Sequence, residues 1–260
     1  MNIKKYFRPD DIEEAYAMLK NHNGTVIGGG AFLQLAAKEI ELAVDLSKLN
    51  LDFIEERKGQ IEIGAMTTLR KVETSSLLQK SFDGVLNKTV SHIMGVQIRN
   101  TATIGGTVYG RYGFSDLITS LLALDAYVEL YKGGRMSLEE FLDTKAEKDI
   151  VLKIIIKNHE RNASYSCLRN TSTDFSILNT SVSKDKGKFR ICVGARPFGA
   201  KLSYEAMDFI NSVEVNEEKA VKAGEIASQS LKFASDIRGS LEYRKELCKI
   251  LVKRCIMEVV

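Results

Sequence analysis

The sequence predicts an α+β protein, and three observations lead there. Short β-branched segments alternate with helix-spaced apolar residues over roughly the first 160 positions. Beyond them, three strand-like segments come first and three helical segments follow, which is a self-contained α+β unit. Hydrophobic residues make up 44% of the 260 and charged residues 27%, a globular balance and too apolar for disorder. A boundary is expected near residue 160, in the polar stretch KNHERNA, giving domains 1–160 and 161–260.

The elements follow in order. Pro9, Asp10 and Asp11 precede Ile12, Ala15, Met18 and Leu19 at helical spacing, and Asn23 with Gly24 stops that helix. Residues 25–27 read as a strand, 32–38 as a helix, and 43–46 and 60–63 as strands. Thr67 or Thr68 caps a short helix, and 82–93 reads as a helix carrying Val85, Leu86, Val90 and Ile93. Asp116 opens the apolar helix LITSLLALDA. Residues 127–131 alternate as a strand, and Gly133 and Gly134 turn it. Ser137 and Glu140 form a capping box, and 150–156 is a β-branched strand. Residues 164–169, 176–183 and 189–193 read as strands, the last two joined by the KDKGK turn. Helices are expected near 203–211, 217–231 and 240–257, the last with Leu247, Ile250, Leu251 and Ile256 near one face.

Two glycine-rich blocks carry the chemistry. TVIGGGAFLQLAAK and RNTATIGGTVYGRYGFSD each run from a β-branched segment through adjacent glycines into a helical segment. Glycine permits positive φ and lets a ligand meet backbone N–H groups. Successive N–H groups form anion-binding nests, and two such loops suit a dinucleotide's pyrophosphate. A plain tight turn explains either block equally well. Neither block matches GxGxxG or the P-loop, which disfavours a standard Rossmann or NTPase reading. Ser115 and Asp116 read either as a helix cap or as acceptors for nucleotide hydroxyls. Arg111, Tyr112 and Phe114 add a cation and aromatic rings to the second block.

Other classes lose ground. A net charge of +3 with no basic–aromatic run gives little support to nucleic-acid binding. No stretch is apolar enough to span a bilayer, and MNIKKYFRPDD turns polar at once, so a cytoplasmic location is expected. Cys167, Cys192, Cys248 and Cys255 include no CxxC pair, and His22, His92 and His159 are scattered. No metal site is therefore expected on this chain alone. The seven-residue spacing of Cys248 and Cys255 suits a buried helix face.

Taken in order, TVIGGGAFLQLAAK, VDLSKL, IEIGAMTTL, RNTATIGGTVYGRYGFSDLITSLLALDAYVEL and FASDIRGSLEYRKELCKILVKR resemble the FAD-binding (medium) subunits of molybdenum hydroxylases. TIGG followed by SD is the most specific part, and RGSxEYR supports it independently. The resemblance implies a two-subdomain, PCMH-like FAD-binding fold, with halves of about 1–52 and 53–160, then a carboxy-terminal domain with a three-stranded antiparallel sheet and helices. It implies FAD contacts at Val26, Ile27, Gly28, Gly29, Gly30, Ala31, Phe32 and Leu33 in the first loop. In the second it implies Ala102, Thr103, Ile104, Gly105, Gly106 and Thr107, with Ile98, Ser115, Asp116 and Leu152 beside them. Departures from the family pattern are Ala31 and Phe32 where a hydroxyl or acidic residue is usual, Thr107 for asparagine, Gly110–Gly113 for a small stretch, and Ser166 for lysine.

The resemblance implies an electron-transfer subunit without catalytic side chains of its own. Electrons enter FAD from [2Fe–2S] centres on one partner chain, after oxidation of substrate at a molybdopterin-binding subunit, and leave to NAD or another acceptor. A free-standing FAD oxidoreductase is the alternative, with Tyr165, Arg169 and Asp174 as loose acid–base candidates that read equally well as surface residues. A non-catalytic dinucleotide-binding module is the third reading. If backbone N–H groups hold the pyrophosphate, Gly29→Val should abolish FAD retention and Ala31→Ser should keep it, as read from flavin absorbance after purification.

Overall fold

The computed structural model describes residues 1–35, 39–145 and 147–260. The chain forms two compact units: one of residues 1–72, 96–110 and 126–158, the other of residues 73–95, 111–125 and 159–260.

The first unit holds the first glycine block and the second as far as Gly110. The helix Ile12–Asn21 starts where Asp11 accepts the Glu14 N–H at 2.8 Å. It packs Ala15 and Leu19 on Leu42, Val44, Leu46 and Ile150. Beneath it, Ala43–Asp45 lies between Tyr6–Phe7 and Thr25–Ile27, all parallel. A five-stranded antiparallel sheet completes the unit, in the order Ile54–Arg57, Gln60–Gly64, Val151–Lys157, Tyr127–Leu130, Gly134–Ser137. Its central strand carries a bulge, because Val151 pairs with Leu130 but Lys153 with Glu129, leaving Leu152 between them. Ser137 caps the helix Leu138–Asp143 through the Glu140 N–H at 3.1 Å, as the capping box predicts.

The second unit is built on an antiparallel sheet in the order Asn162–Leu168, Leu178–Asp185, Lys188–Gly194, Lys201–Leu202. Three strands were expected. The fourth is two residues long, too short to leave an alternation. Lys186 and Gly187 both take positive φ, 47° and 79°, the geometry of a tight hairpin turn whose twist matches the strands. The strand Leu178–Asp185 is covered on both sides, and Asn179, Thr180, Ser181 and Ser183 are fully buried on it. Ser183 reaches the Ala123 carbonyl at 2.6 Å in the helix Asp116–Ala123. Ser164, on the neighbouring strand, reaches the Cys255 carbonyl at 2.9 Å in the helix Leu241–Glu258. Cys248 and Cys255 are fully buried thiols, and burial pushes both up to about 12.

Several expectations are corrected. The helix predicted over 32–38 is only a 3-10 turn at Leu33–Leu35, and residues 36–38 lie outside the described residues. The helix predicted over 82–93 is divided. Phe82 and Asp83 adopt φ of 54° and 53°, a 3-10 turn ends at Gly84, and the α-helix is Val85–Ser91. The left-handed Asp83 points its carboxylate at the Ala163 N–H, 3.0 Å away, a tertiary bond that no local pattern announces. On the last helix Leu247, Leu251 and Ile256 are buried, whereas Ile250 is 45% exposed on the opposite side.

The turn before that helix hangs on one side chain. Arg244 is fully buried and donates to the carbonyls of Ile177 (2.8 Å), Ala234 (2.8 Å) and Gly239 and to the Asp236 carboxylate at 2.6 Å. Burial alone would raise the Asp236 carboxyl, but the Arg244 bond and the neighbouring Arg238 outweigh it and leave it lowered. That contribution is present above the ordinary carboxylate range and is lost as pH falls through the lowered folded value. Arg244→Met is expected to cost about 3 kcal/mol or more in urea unfolding, because it leaves buried acceptors unpaired. It should also flatten the acid side of the stability profile.

Candidate functional site

The first glycine loop leaves the carboxyl end of the parallel strand Thr25–Ile27, where open parallel sheets place ligands. The N–H groups of Gly28, Gly29, Gly30 and Ala31 donate to no acceptor among the described residues. Gly30 has φ +70°, and its carbonyl accepts the Gln34 N–H at 3.0 Å. Only glycine takes that conformation without strain. A run of four unpaired donors, none of them fully exposed, is the raw material of an anion nest.

The second block works differently. Its N–H groups are consumed inside the protein: Ala102 to Ile98, Ile104 to Thr67, Gly105 to Ala65, and Thr107 to Thr103, at 2.7–3.0 Å. Gly106 donates to the Thr103 hydroxyl at 3.2 Å. These bonds lock the block against the five-stranded sheet.

The structure brings the two blocks together. A Cβ on Gly29 would overlap the Thr101 carbonyl, and one on Gly28 would sit 2.6 Å from the Thr103 hydroxyl. Gly105 is pressed as closely on Ala65, where an added Cβ would meet its Cβ at 2.6 Å. Gly106 is the exception. It is exposed, and a Cβ there would meet only the Thr103 hydroxyl, at 3.0 Å. Protein packing explains Gly28, Gly29 and Gly105, whereas at Gly106 an added Cβ would ask only a small shift of the Thr103 hydroxyl. Ile98, on the helix Val96–Thr101, and Leu152, on its bulge, are both partly buried. Leu152 packs on the cluster around Val44 and Ile150. Val26, Ile27, Phe32 and Leu33 are partly buried in the first unit.

Ser115 and Asp116 belong to the second unit. Ser115 is the helix cap, accepting the Ile118 N–H at 3.2 Å. Asp116 is a buried hub. One oxygen takes the Tyr165 hydroxyl at 2.7 Å, the Ser176 hydroxyl at 2.6 Å and the Asn179 amide at 2.7 Å. The other takes Arg169 at 2.6 Å. Burial, then the adjacent Asp116 charge, raises the Tyr165 phenol well above its ordinary value. For Arg169, burial would lower the guanidinium, but the carboxylate outweighs it and raises it. Beside the hub, Tyr112 stacks on Phe114 at 5.2 Å, Phe114 meets Phe175 at 4.1 Å, and Arg238 lies over Phe175 at 5.4 Å.

Comparison with known proteins decides the family. Residues 1–158 match the family described as FAD binding domain in molybdopterin dehydrogenase. Residues 163–259 match the CO dehydrogenase flavoprotein C-terminal domain. The chain belongs to the molybdopterin dehydrogenase FAD-binding family. It is 27% identical over 273 residues to the nicotine 6-hydroxylase medium subunit of Paenarthrobacter nicotinovorans, covering 98% of this chain and 96% of that one. It is 24% identical over 283 residues to the nicotinate dehydrogenase FAD-subunit of Eubacterium barkeri, covering 98% and 95%. A chain of the Cu,Mo-CO dehydrogenase, cyanide-inactivated form, shares the fold with a TM-score of 0.90 at 23% identity, over 99% of this chain and 98% of that one.

Membership in this FAD-binding family makes FAD the cofactor, and the loop geometry fits it. A run of free N–H donors suits a diphosphate, and the open face at Gly106 suits close approach by a ligand. The hub was the part that sequence reasoning missed. Tyr165 and Arg169, expected as surface residues or acid–base candidates, are buried ligands of Asp116, and Asp174 accepts Arg169 at its carbonyl, 2.5 Å away. Alternation along 162–168 puts Tyr165 on one face but says nothing of the carboxylate it meets. Asp116→Asn is expected to destabilise the fold by about 3–5 kcal/mol, because it strands a buried arginine. Asp116→Asn with Arg169→Met should recover much of that loss in the same denaturation assay.

Proposed function

We propose that this chain is the FAD-binding electron-transfer subunit of a multi-subunit molybdenum hydroxylase, working in the cytoplasm beside a [2Fe–2S] subunit and a molybdopterin-binding subunit. The observation that carries the site is the run of unpaired N–H groups from Gly28 to Ala31, set against the glycines of the second block. In this reading Gly28–Ala31 hold the pyrophosphate by backbone donors, which is why Ala31 and Phe32 need no polar side chain. Ala102–Thr107 supply a rigid wall, with Gly106 as the point of closest approach. Val26, Ile27, Phe32, Leu33, Ile98 and Leu152 supply apolar contact. Ser115 caps its helix, and Asp116 shapes the second unit from inside. When bound, FAD supplies the redox chemistry, taking electrons from [2Fe–2S] centres on a partner chain and passing them to NAD or another acceptor.

Names of relatives support partner chains: one is a medium subunit, another an FAD-subunit. Tyr165 and Arg169 are committed to Asp116, which removes two of the three acid–base candidates of the free-standing oxidoreductase. Affinity purification of the chain with its untagged partners, followed by mass spectrometry and metal analysis, is expected to recover iron and molybdenum with two further subunits. A colourless single chain that takes up no FAD would sink the proposal.

Gly29→Val now tests two things at once, since Gly29 is also packed on Thr101. Gly106→Ala separates them. It should lower the melting temperature far less than Gly29→Ala does while weakening FAD binding about tenfold, roughly 1.4 kcal/mol. Gly29→Ala should lower both. Equal melting losses from the two variants would contradict a ligand role for Gly106.

A further inference from the structure

The helix Leu241–Glu258 is 18 residues long, and its inner face is already used by Arg244, Leu247, Cys248, Leu251, Val252, Cys255 and Ile256. On the opposite face Tyr243, Ile250 and Met257 are 47%, 45% and 41% exposed. They recur every seven residues, so they fall in one stripe, the spacing of a coiled-coil seam. Glu246 and Arg254 flank Ile250 four residues away on either side, and both are exposed. Glu246 pairs with Lys249 of the same helix at 2.7 Å and stays 65% exposed. Arg254 has no carboxylate partner among the described residues.

The stripe is symmetric about Ile250. Tyr243 mirrors Met257, and acidic Glu246 mirrors basic Arg254. We infer that this face is the seam of an antiparallel helix pair between two copies of this chain, with the two-fold axis at Ile250. Such an axis makes the same patch serve both copies. It sets Ile250 on its own counterpart, Tyr243 on the other copy's Met257, and Glu246 toward the other copy's Arg254. A parallel pair would instead set Glu246 against Glu246 and Arg254 against Arg254, and like charges at a seam destabilise it. An 18-residue helix is about 27 Å long. One such pair is a small interface, so association is in the roughly micromolar range.

The test is sedimentation of the full-length chain between about 1 and 100 µM. The wild type is expected to pass from monomer to dimer over that range. Ile250→Glu should raise the dissociation constant at least about tenfold with an unchanged melting temperature, since the residue is half exposed. Glu246→Arg should weaken the dimer by about the same factor, and Arg254→Glu added to it should recover most of the loss. With a short bismaleimide linker, Ile250→Cys should cross-link to itself above the wild-type background. Tyr243→Cys alone should not, and mixed with Met257→Cys it should. A wild type that is monomeric throughout, a dimer indifferent to Ile250→Glu, or self-linking at Tyr243→Cys overturns the inference. So does burial of this stripe under a different subunit in the purified complex.

Discussion

The contact between the two glycine blocks is the constraint on which the candidate site depends. Gly28 and Gly29 pass so close to residues 101–103 that no side chain fits between them. The second block spends its N–H groups on Thr67, Ala65 and its own turn, so it is stiff and cannot yield. The first block must therefore run flat along it, out of reach of protein acceptors, and its donors stay free. Unpaired backbone donors that are not fully solvated are costly unless something else pairs them. The same packing that removes side chains from Gly28 and Gly29 thus leaves a place for an anion. The loss of side chains and the binding site are one arrangement seen twice.

In the second unit a different economy rules. A strand buried on both faces is normally a run of Val, Ile and Leu. Here Asn179, Thr180, Ser181 and Ser183 stand in its place, and three of them close hydrogen bonds across the sheet or to the neighbouring helix. Asp116 collects four donors from four separated positions. A carboxylate taken out of water at that depth is stable only when every donor is present, so the network selects one arrangement and penalises others. The arginine at 244 does the same for the turn 234–239. Polar groups in this unit act less as surface chemistry than as internal fasteners.

What was legible in the sequence follows from the range of each interaction. Caps at Asp11, Ser115 and Ser137 are local, and all three accept the N–H three residues ahead. The KDKGK turn and the three long strands of the second unit are local too. Both glycine blocks stood out by composition, and their shared strand–glycine–helix pattern supplied the reason to pair them. The division of labour between them did not show, because it depends on which N–H groups find acceptors at Ala65 and Thr67. The break at Phe82 and Asp83 was invisible for the same reason, since its partner, Ala163, lies eighty residues on. The hub drew residues 165, 169, 176 and 179 to one carboxylate, and no periodicity encodes that.

Ile250 carries the same lesson in reverse. Four apolar residues on a helix read as one buried face only if they fall within one arc, and at 100° per residue Ile250 lies about 60° outside the arc that runs from Leu247 through Leu251 to Ile256. Its exposure leaves a question of cost. A β-branched side chain half in water contributes little to this chain's own core, and it is a weaker helix former than leucine. Once its alignment with Tyr243 and Met257 is seen, the residue makes sense as part of a second, outward core. A helix with two apolar stripes on opposite sides has two surfaces to cover, and only one of them is covered from within.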